Sequence, residues 1–330
     1  MGGLWNELGK KLAERWVSLL VLPGALYLAV AFAARTLGRG HPLDIARIAR
    51  EITTFAAGPE MTGLGGQIVL LVAVLLAAAA AGTVATAVGT LVERLVVADG
   101  WRTWPAPLAY LAGLRAEHRR TRWDAADRAY HERRKRAMAP DPADRPAPAL
   151  LRAAARRRAR IAPERPERPT WSGDRVQAAA LRLDRDHRLD LAVLWPYLEP
   201  VLPEALSARI AEARAALVRA TTLAGWALLY APLARWWWPA APLALVLALA
   251  ARHRVRSSVD SYARLLEVAA RLHAPALAAQ LGIDHTGPLT DDLGARLTHH
   301  LRTESPPPPE PPDRAPDGRT RAVPAARSDG

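Results

Sequence analysis

The stretch Gln67–Val92, QIVLLVAVLLAAAAAGTVATAVGTLV, carries no charge and constrains this chain more than any other feature. A helix advances about 1.5 Å per residue and a bilayer core is about 30 Å thick, so a span needs roughly 20 apolar residues. This run is long enough, and the other segments are placed relative to a membrane. Val17–Ala34 is a second uncharged run, in which Pro23-Gly24 is expected to kink a helix by removing a backbone bond. A third apolar region, Ala220–Ala251, holds a single charge, Arg235. As one helix it is roughly 48 Å long. It also sets Arg235 near mid-bilayer, at a cost of about 2.5–3.5 kcal/mol. A hairpin broken by Pro232, Pro239 and Pro242, with Trp236, Trp237 and Trp238 at the headgroups, avoids both problems. The expected fold is all-α: an integral membrane protein with four transmembrane helices in two hairpins (17–34, 67–92, 220–234 and 236–251) and a helical cytoplasmic insert over 93–219.

The remaining segments follow from charge and periodicity. Leu4, Trp5, Leu8, Leu12 and Trp16 share one face, so residues 1–16 read as an interfacial amphipathic helix. A cleaved signal peptide is the competing reading, with Ala31-Phe32-Ala33 as its small-x-small site. The run exceeds a usual signal core and a second span follows, which favours an uncleaved helix. Residues 35–66 form an external loop whose short helix carries Ile45, Ile48, Ile52 and Phe55. In the insert, a helix over about Leu108–Met138 sets Trp123, Ala126 and Tyr130 amid Arg115, Arg119, Arg120 and Arg122. A turn-rich linker (Asp141–Pro148) and a short basic helix follow it. Mixed aromatic, leucine and charged character marks 169–204 as a packed module. Cytoplasmic helices are expected over 252–302, ending with Leu293, Leu297 and Leu301 on one face. The Pro-rich tail 303–330 cannot bury a core and is expected to be disordered.

Basic residues set the orientation. Lys10, Lys11 and Arg15, the insert, and Arg252, Arg254 and Arg256 fall on one side, which is therefore cytoplasmic together with both termini. The first outer loop, with Arg35, Arg39, Arg47 and Arg50 against Asp44, Glu51 and Glu60, runs against this without reversing it.

Four patterns resemble those of a family of uncharacterised actinobacterial integral membrane proteins: PTWSGDR at Pro169–Arg175, LDL at Leu189–Leu191 followed by Trp195-Pro196, the Leu202-Pro203 helix start, and Gly225-Trp226 through Trp236-Trp237-Trp238-Pro239. The similarity runs over roughly residues 165–282. It implies a bacterial cell-membrane location and a shared architecture, and carries over neither an activity nor a catalytic residue.

Chemistry is sparse. Without cysteine there is no disulfide, thiolate metal site or cysteine nucleophile. The spans hold no Asp, Glu, His or Lys in their interiors, where proton relays and ion-coupled transporters place such groups. Asp184, Asp186 and Asp190 lack the glycine and final glutamate of a calcium loop, and Gly173-Asp174-Arg175 suits a helix start better than a phosphate loop. Trp171 reads as a core anchor rather than a base-stacking platform. No catalytic residue, cofactor or metal is expected, and the chain is read as a non-enzyme.

Two sets of residues remain as candidate sites. Arg133, Arg134, Lys135 and Arg136, with Arg156, Arg157, Arg158 and Arg160, suit contact with anionic lipid, at about 1 kcal/mol each near the surface. A solvated face that enforces orientation is the competing explanation. Ala81, Gly82, Ala85, Thr86 and Gly89 suit close helix packing, within the chain rather than across a dimer. The net charge of +13 rests on arginine in an Arg-, Ala- and Pro-rich chain, which weakens it as a sign of nucleic-acid binding. The functional expectation is a membrane anchor or scaffold whose basic region binds a protein partner at the anionic inner leaflet. A transporter or channel component and a membrane-tethered nucleic-acid binder are the alternatives.

Overall fold

Uncharged runs bounded by Gly and Pro become helices here because a backbone with no outside hydrogen-bond partner must satisfy its own groups. A computed structural model describes residues 21–58, 63–141 and 145–304, and no strand occurs among them. Ten α-helices follow in order among the described residues. They are α1 (Leu22–Leu37), α2 (Ile45–Ala56), α3 (Leu64–Val97), α4 (Ala106–Ala137) and α5 (Pro148–Ile161), then α6 (Trp171–His187), α7 (Leu191–Leu198), α8 (Glu204–Tyr230), α9 (Ala240–Gln280) and α10 (Asp291–Glu304). The amphipathic segment 1–16, residues 17–20 of the first expected span and the tail beyond Glu304 lie outside the described residues.

Two stretches, Gly65–Val97 and Glu204–Arg235, are long and apolar enough to cross a membrane, and Leu22–Leu37 is a shorter apolar helix. The most apolar window of the first is only 17% buried. Ile68, Val69, Leu71, Leu76 and Leu91 all face outward, whereas a soluble protein's core helix hides such side chains. The expected break near Pro232 is present: Ala231–Arg235 forms a 3₁₀ turn and Pro239 caps α9. Trp237, just past this turn, ties it to the loop between α1 and α2 by donating its indole N–H to the Pro42 carbonyl at 2.8 Å.

Small residues let these helices touch. α3 and α8 run antiparallel, with Gly89 against Thr222 and Gly225 against Ala85. A Cβ on Gly89 would stand 2.8 Å from the Thr222 Cα, closer than a side chain tolerates. On another face of α3, Gly24 of α1 meets Ala78. Tyr27, Trp226 and Tyr230 fill the space between α1 and α8, with the two tyrosine rings edge to face at 5.3 Å.

The kink expected at Pro23-Gly24 turns on residues 17–20, which lie outside the described residues; in what is described, Pro23 stands in the first turn of α1. One expectation needs correction. The packed module extends beyond 169–204: Leu183, Leu189, Leu194 and Leu198 share one core with Leu266 and Leu277 of α9 and with Leu293, Leu297 and Leu301 of α10. The reason is geometric. α9 is one helix of 41 residues, about 60 Å long, and carries its apolar face out of the hairpin and into the module.

Candidate functional site

A cleft of about 1220 Å³ opens where the hairpin α8–α9 meets the basic insert. Its floor is apolar and mostly alanine: Ala224, Ala227 and Leu228 of α8, Ala231 of the turn that follows it, and Ala244, Leu245, Ala248 and Ala251 of α9. Steps of three and four put each set on one face of its helix. The wall is cationic. Arg115, His118, Arg119, Arg122 and Arg133 line it from α4, Arg157 and Arg160 from α5, and Arg252 and Arg256 from α9, with no Asp or Glu among the lining residues.

Internal bonds hold some of these arginines. Arg119 donates to the Asp174 carboxylate at 2.6 Å and to the Ile161 carbonyl, and Arg115 donates to the Pro169 carbonyl. Asp174, almost fully buried, also accepts the backbone N–H groups of Glu167 and Arg168. Burial nevertheless holds its carboxyl above the ordinary carboxylate range, outweighing those bonds and the Arg119 charge. The helix start beneath it is fixed by Thr170, which accepts from the Gly173 N–H and donates to the Val96 carbonyl. Gly173 lies so close to the end of α3 that a Cβ would strike the Val97 carbonyl. The PTWSGDR segment thus clamps α3, α4 and α6 together at the mouth of the cleft.

Other groups lack a protein partner. Among the described residues, the side chains of Arg122, Arg157, Arg160 and Arg252 make no ion pair or hydrogen bond. Arg256 lies over the Trp171 ring at 4.5 Å, and burial, with Arg252 and Arg119 adding repulsion, lowers its pKa. Two buried donors on cleft residues, Arg119 Nε and Trp171 Nε1, have no acceptor. The arrangement is suited to binding a multiply charged anion beside an apolar body.

Of the eight expected lipid-contact residues, the cleft takes Arg133, Arg157 and Arg160. Arg158 turns away, paired with Asp127 at 2.8 Å and stacked on Tyr130. Arg136 pairs with Glu132, and Arg134, Lys135 and Arg156 are exposed off the cleft. Of the packing residues, Gly82, Ala85 and Gly89 are buried, Ala81 is half-buried and Thr86 is exposed. Arg115, Arg119, Arg122, Arg252 and Arg256 were visible as charges, and their convergence was missed. The usable signal is the spacing Arg115, Arg119, Arg122, Ala126, Ala129, Arg133, a single stripe of arginine and alanine along α4.

The three aspartates at 184, 186 and 190 are dispersed: Asp186 pairs with Arg271, and Asp190 caps α7 and pairs with Arg302. Trp171 is half-buried at the cleft rather than in the leucine core. The chain matches no protein-family model, no curated protein and no solved structure.

Proposed function

We propose that this chain is a multi-pass membrane anchor, with four spans in two hairpins and both termini cytoplasmic, that holds an arginine-rich helical module against the anionic inner leaflet and presents it to a protein partner. One observation carries the reading: the module hangs from a single end of the apolar bundle. Val96 and Val97 at the close of α3, Leu217 and Ala220 of α8, and Val255 and Val259 of α9 pack together there. On α9 the exposed Leu245, Val246 and Leu249 give way to Arg252, Arg254 and Arg256. Positive charge concentrated at one end of a span is retained on the cytoplasmic side.

A transporter draws less support. Thr83, Thr86 and Thr90, the candidates for a polar path, each donate to the carbonyl three residues back on their own helix. Reporter fusions after Ala57, near Pro146, after Trp238 and at the C terminus test the topology. External signals from the first and third and cytoplasmic signals from the second and fourth are expected. A reporter near Pro146 that reads external would sink the reading.

A further inference from the structure

Resting on that placement at the leaflet, we propose that the cleft is the binding site for a single membrane amphiphile bearing a terminal phosphate, as a phosphomonoester or diphosphate. Its tail lies on the alanine floor of α8 and α9, and its headgroup lies among Arg122, Arg157, Arg160, Arg252 and Arg256.

Three independent features of the site agree on this class. The first is shape. Lining residues from Ala244 to Arg256 extend about 18 Å along α9, apolar as far as Ala251 and carrying Arg252 and Arg256 beyond it. A ligand that fills this length is apolar at one end and anionic at the other. The volume also exceeds the roughly 300–1,000 Å³ of ordinary small-molecule pockets.

Charge is the second feature. Among the described residues, four guanidinium groups without protein partners face one opening from three helices, with no carboxylate lining it. A phosphodiester headgroup such as that of phosphatidylglycerol brings one negative charge and two free oxygens. A terminal phosphate brings about −1.5 to −2 and three strong acceptor oxygens, and a diphosphate brings more of both. Arginine forks match such oxygens in pairs. Only the more highly charged headgroups answer a site drawn from several helices at once.

The third feature is the floor, where Ala224, Ala227, Ala244, Ala248 and Ala251 leave a groove that larger side chains on the same faces of α8 and α9 would occupy.

The test measures lipid binding to the purified full-length protein in detergent, which does not depend on which side of a membrane the module occupies. Fluorescent dioleoyl phosphatidic acid serves as the terminal-phosphate probe. Phosphatidylglycerol with the same tails serves as the diester, phosphatidylcholine as the zwitterion and inorganic diphosphate as the free anion. Phosphatidic acid is expected to bind at least about tenfold tighter than phosphatidylglycerol. The pair Arg122→Gln with Arg252→Gln is expected to weaken it about 25-fold, from about fivefold for each basic residue lost. The exposed set Arg134→Gln, Lys135→Gln and Arg136→Gln is expected to change it less than about twofold, because those side chains lie off the cleft. Ala248→Trp, on the open floor, is expected to weaken phosphatidic acid and leave diphosphate unchanged.

Equal affinity for the two anionic lipids would overturn the headgroup assignment, and equal losses from the cleft and exposed sets would overturn the site. Diphosphate binding as tightly as phosphatidic acid, and unmoved by Ala248→Trp while the lipid is also unmoved, would make the site one for a soluble anion. An inverted topology with intact lipid selectivity would instead overturn only the placement at the inner leaflet.

Discussion

Replacing Gly89 by alanine tests the closest helix contact in the bundle. The new methyl carbon would sit 2.8 Å from the Thr222 Cα and 3.0 Å from its nitrogen, where ordinary contact begins at 3.4 Å. Both opposing atoms are backbone, so no rotamer change relieves the overlap, and α3 and α8 must separate by roughly 0.6 Å or more. A gap of about 0.5–1 Å forfeits a quarter to a half of the dispersion energy of each pair of atoms it parts. Overpacking of this kind costs about 1–3 kcal/mol. Alanine's helix propensity returns up to about 1 kcal/mol. A net loss of about 1–2 kcal/mol lowers the unfolding midpoint by about 2–8 °C. The assay is thermal unfolding in detergent, followed through the intrinsic fluorescence of the eleven tryptophans. Gly65→Ala is the control, because it too lies in α3 and a Cβ there meets nothing within 4 Å. It should leave the midpoint unchanged or raise it. If Gly89→Ala melts at or above the native temperature while the control behaves as stated, α3 and α8 do not cross at Gly89.

The same measurement reads the remaining predictions. Asp260→Ala strands Arg175, which is 6% exposed and bonded to Asp260 at 2.6 Å. It is expected to cost about 2 kcal/mol, below the full value for a buried pair because Asp260 is partly solvated. Arg175→Met should cost less, and the reverse order would refute the argument. Leu297→Ala, at a fully buried position, is expected to cost about 2–5 kcal/mol and to expose α10 to protease; unchanged proteolysis would count against α10 closing the core. Asp174 and Asp190 should show opposite pH slopes. Burial raises the Asp174 carboxyl, so its stabilising contribution is present below about pH 4 and is lost as pH rises through the folded value; Asp174→Asn removes that slope. Burial also acts on Asp190, but the Arg302 bond and the Ala192 and Val193 N–H groups outweigh it and lower the pKa. Its contribution is present above about pH 4 and is lost as pH falls through the folded value, so Asp190→Ala should flatten the acid limb. Slopes of the same sign would refute one assignment.

Local chemistry made the helices legible and left their convergence hidden. Charge-free composition marks α3, proline marks the turn after α8, and Asp291 and Asp292 mark the start of α10, all within a few residues of the feature they specify. Pairings across long separations left no such mark. Leu183 and Leu297 are both plainly apolar, yet nothing near either shows that they share a core. Arginine was read as surface charge because runs such as Arg133–Arg136 stand out in a chain. The cleft instead selects single members of separate runs by helical phase, so Arg133 enters it while Arg134 does not. Arg119 illustrates the difficulty: one side chain reaches Ile161 and Asp174, 42 and 55 positions away.

The unbroken course of α9 bears on how the chain is made. The leucines of α6 and α7 leave the ribosome roughly 70–80 residues before Leu266, the first buried leucine of α9 that covers them. At about 5–20 residues per second the interval is roughly 3–17 s. During it the newborn leucine face stays bare, because the helix that covers it has not yet been made. Synthesis of this module therefore ends only when its last helix arrives, and a chain stopped after α8 exposes a sticky, half-made core rather than a smaller working protein.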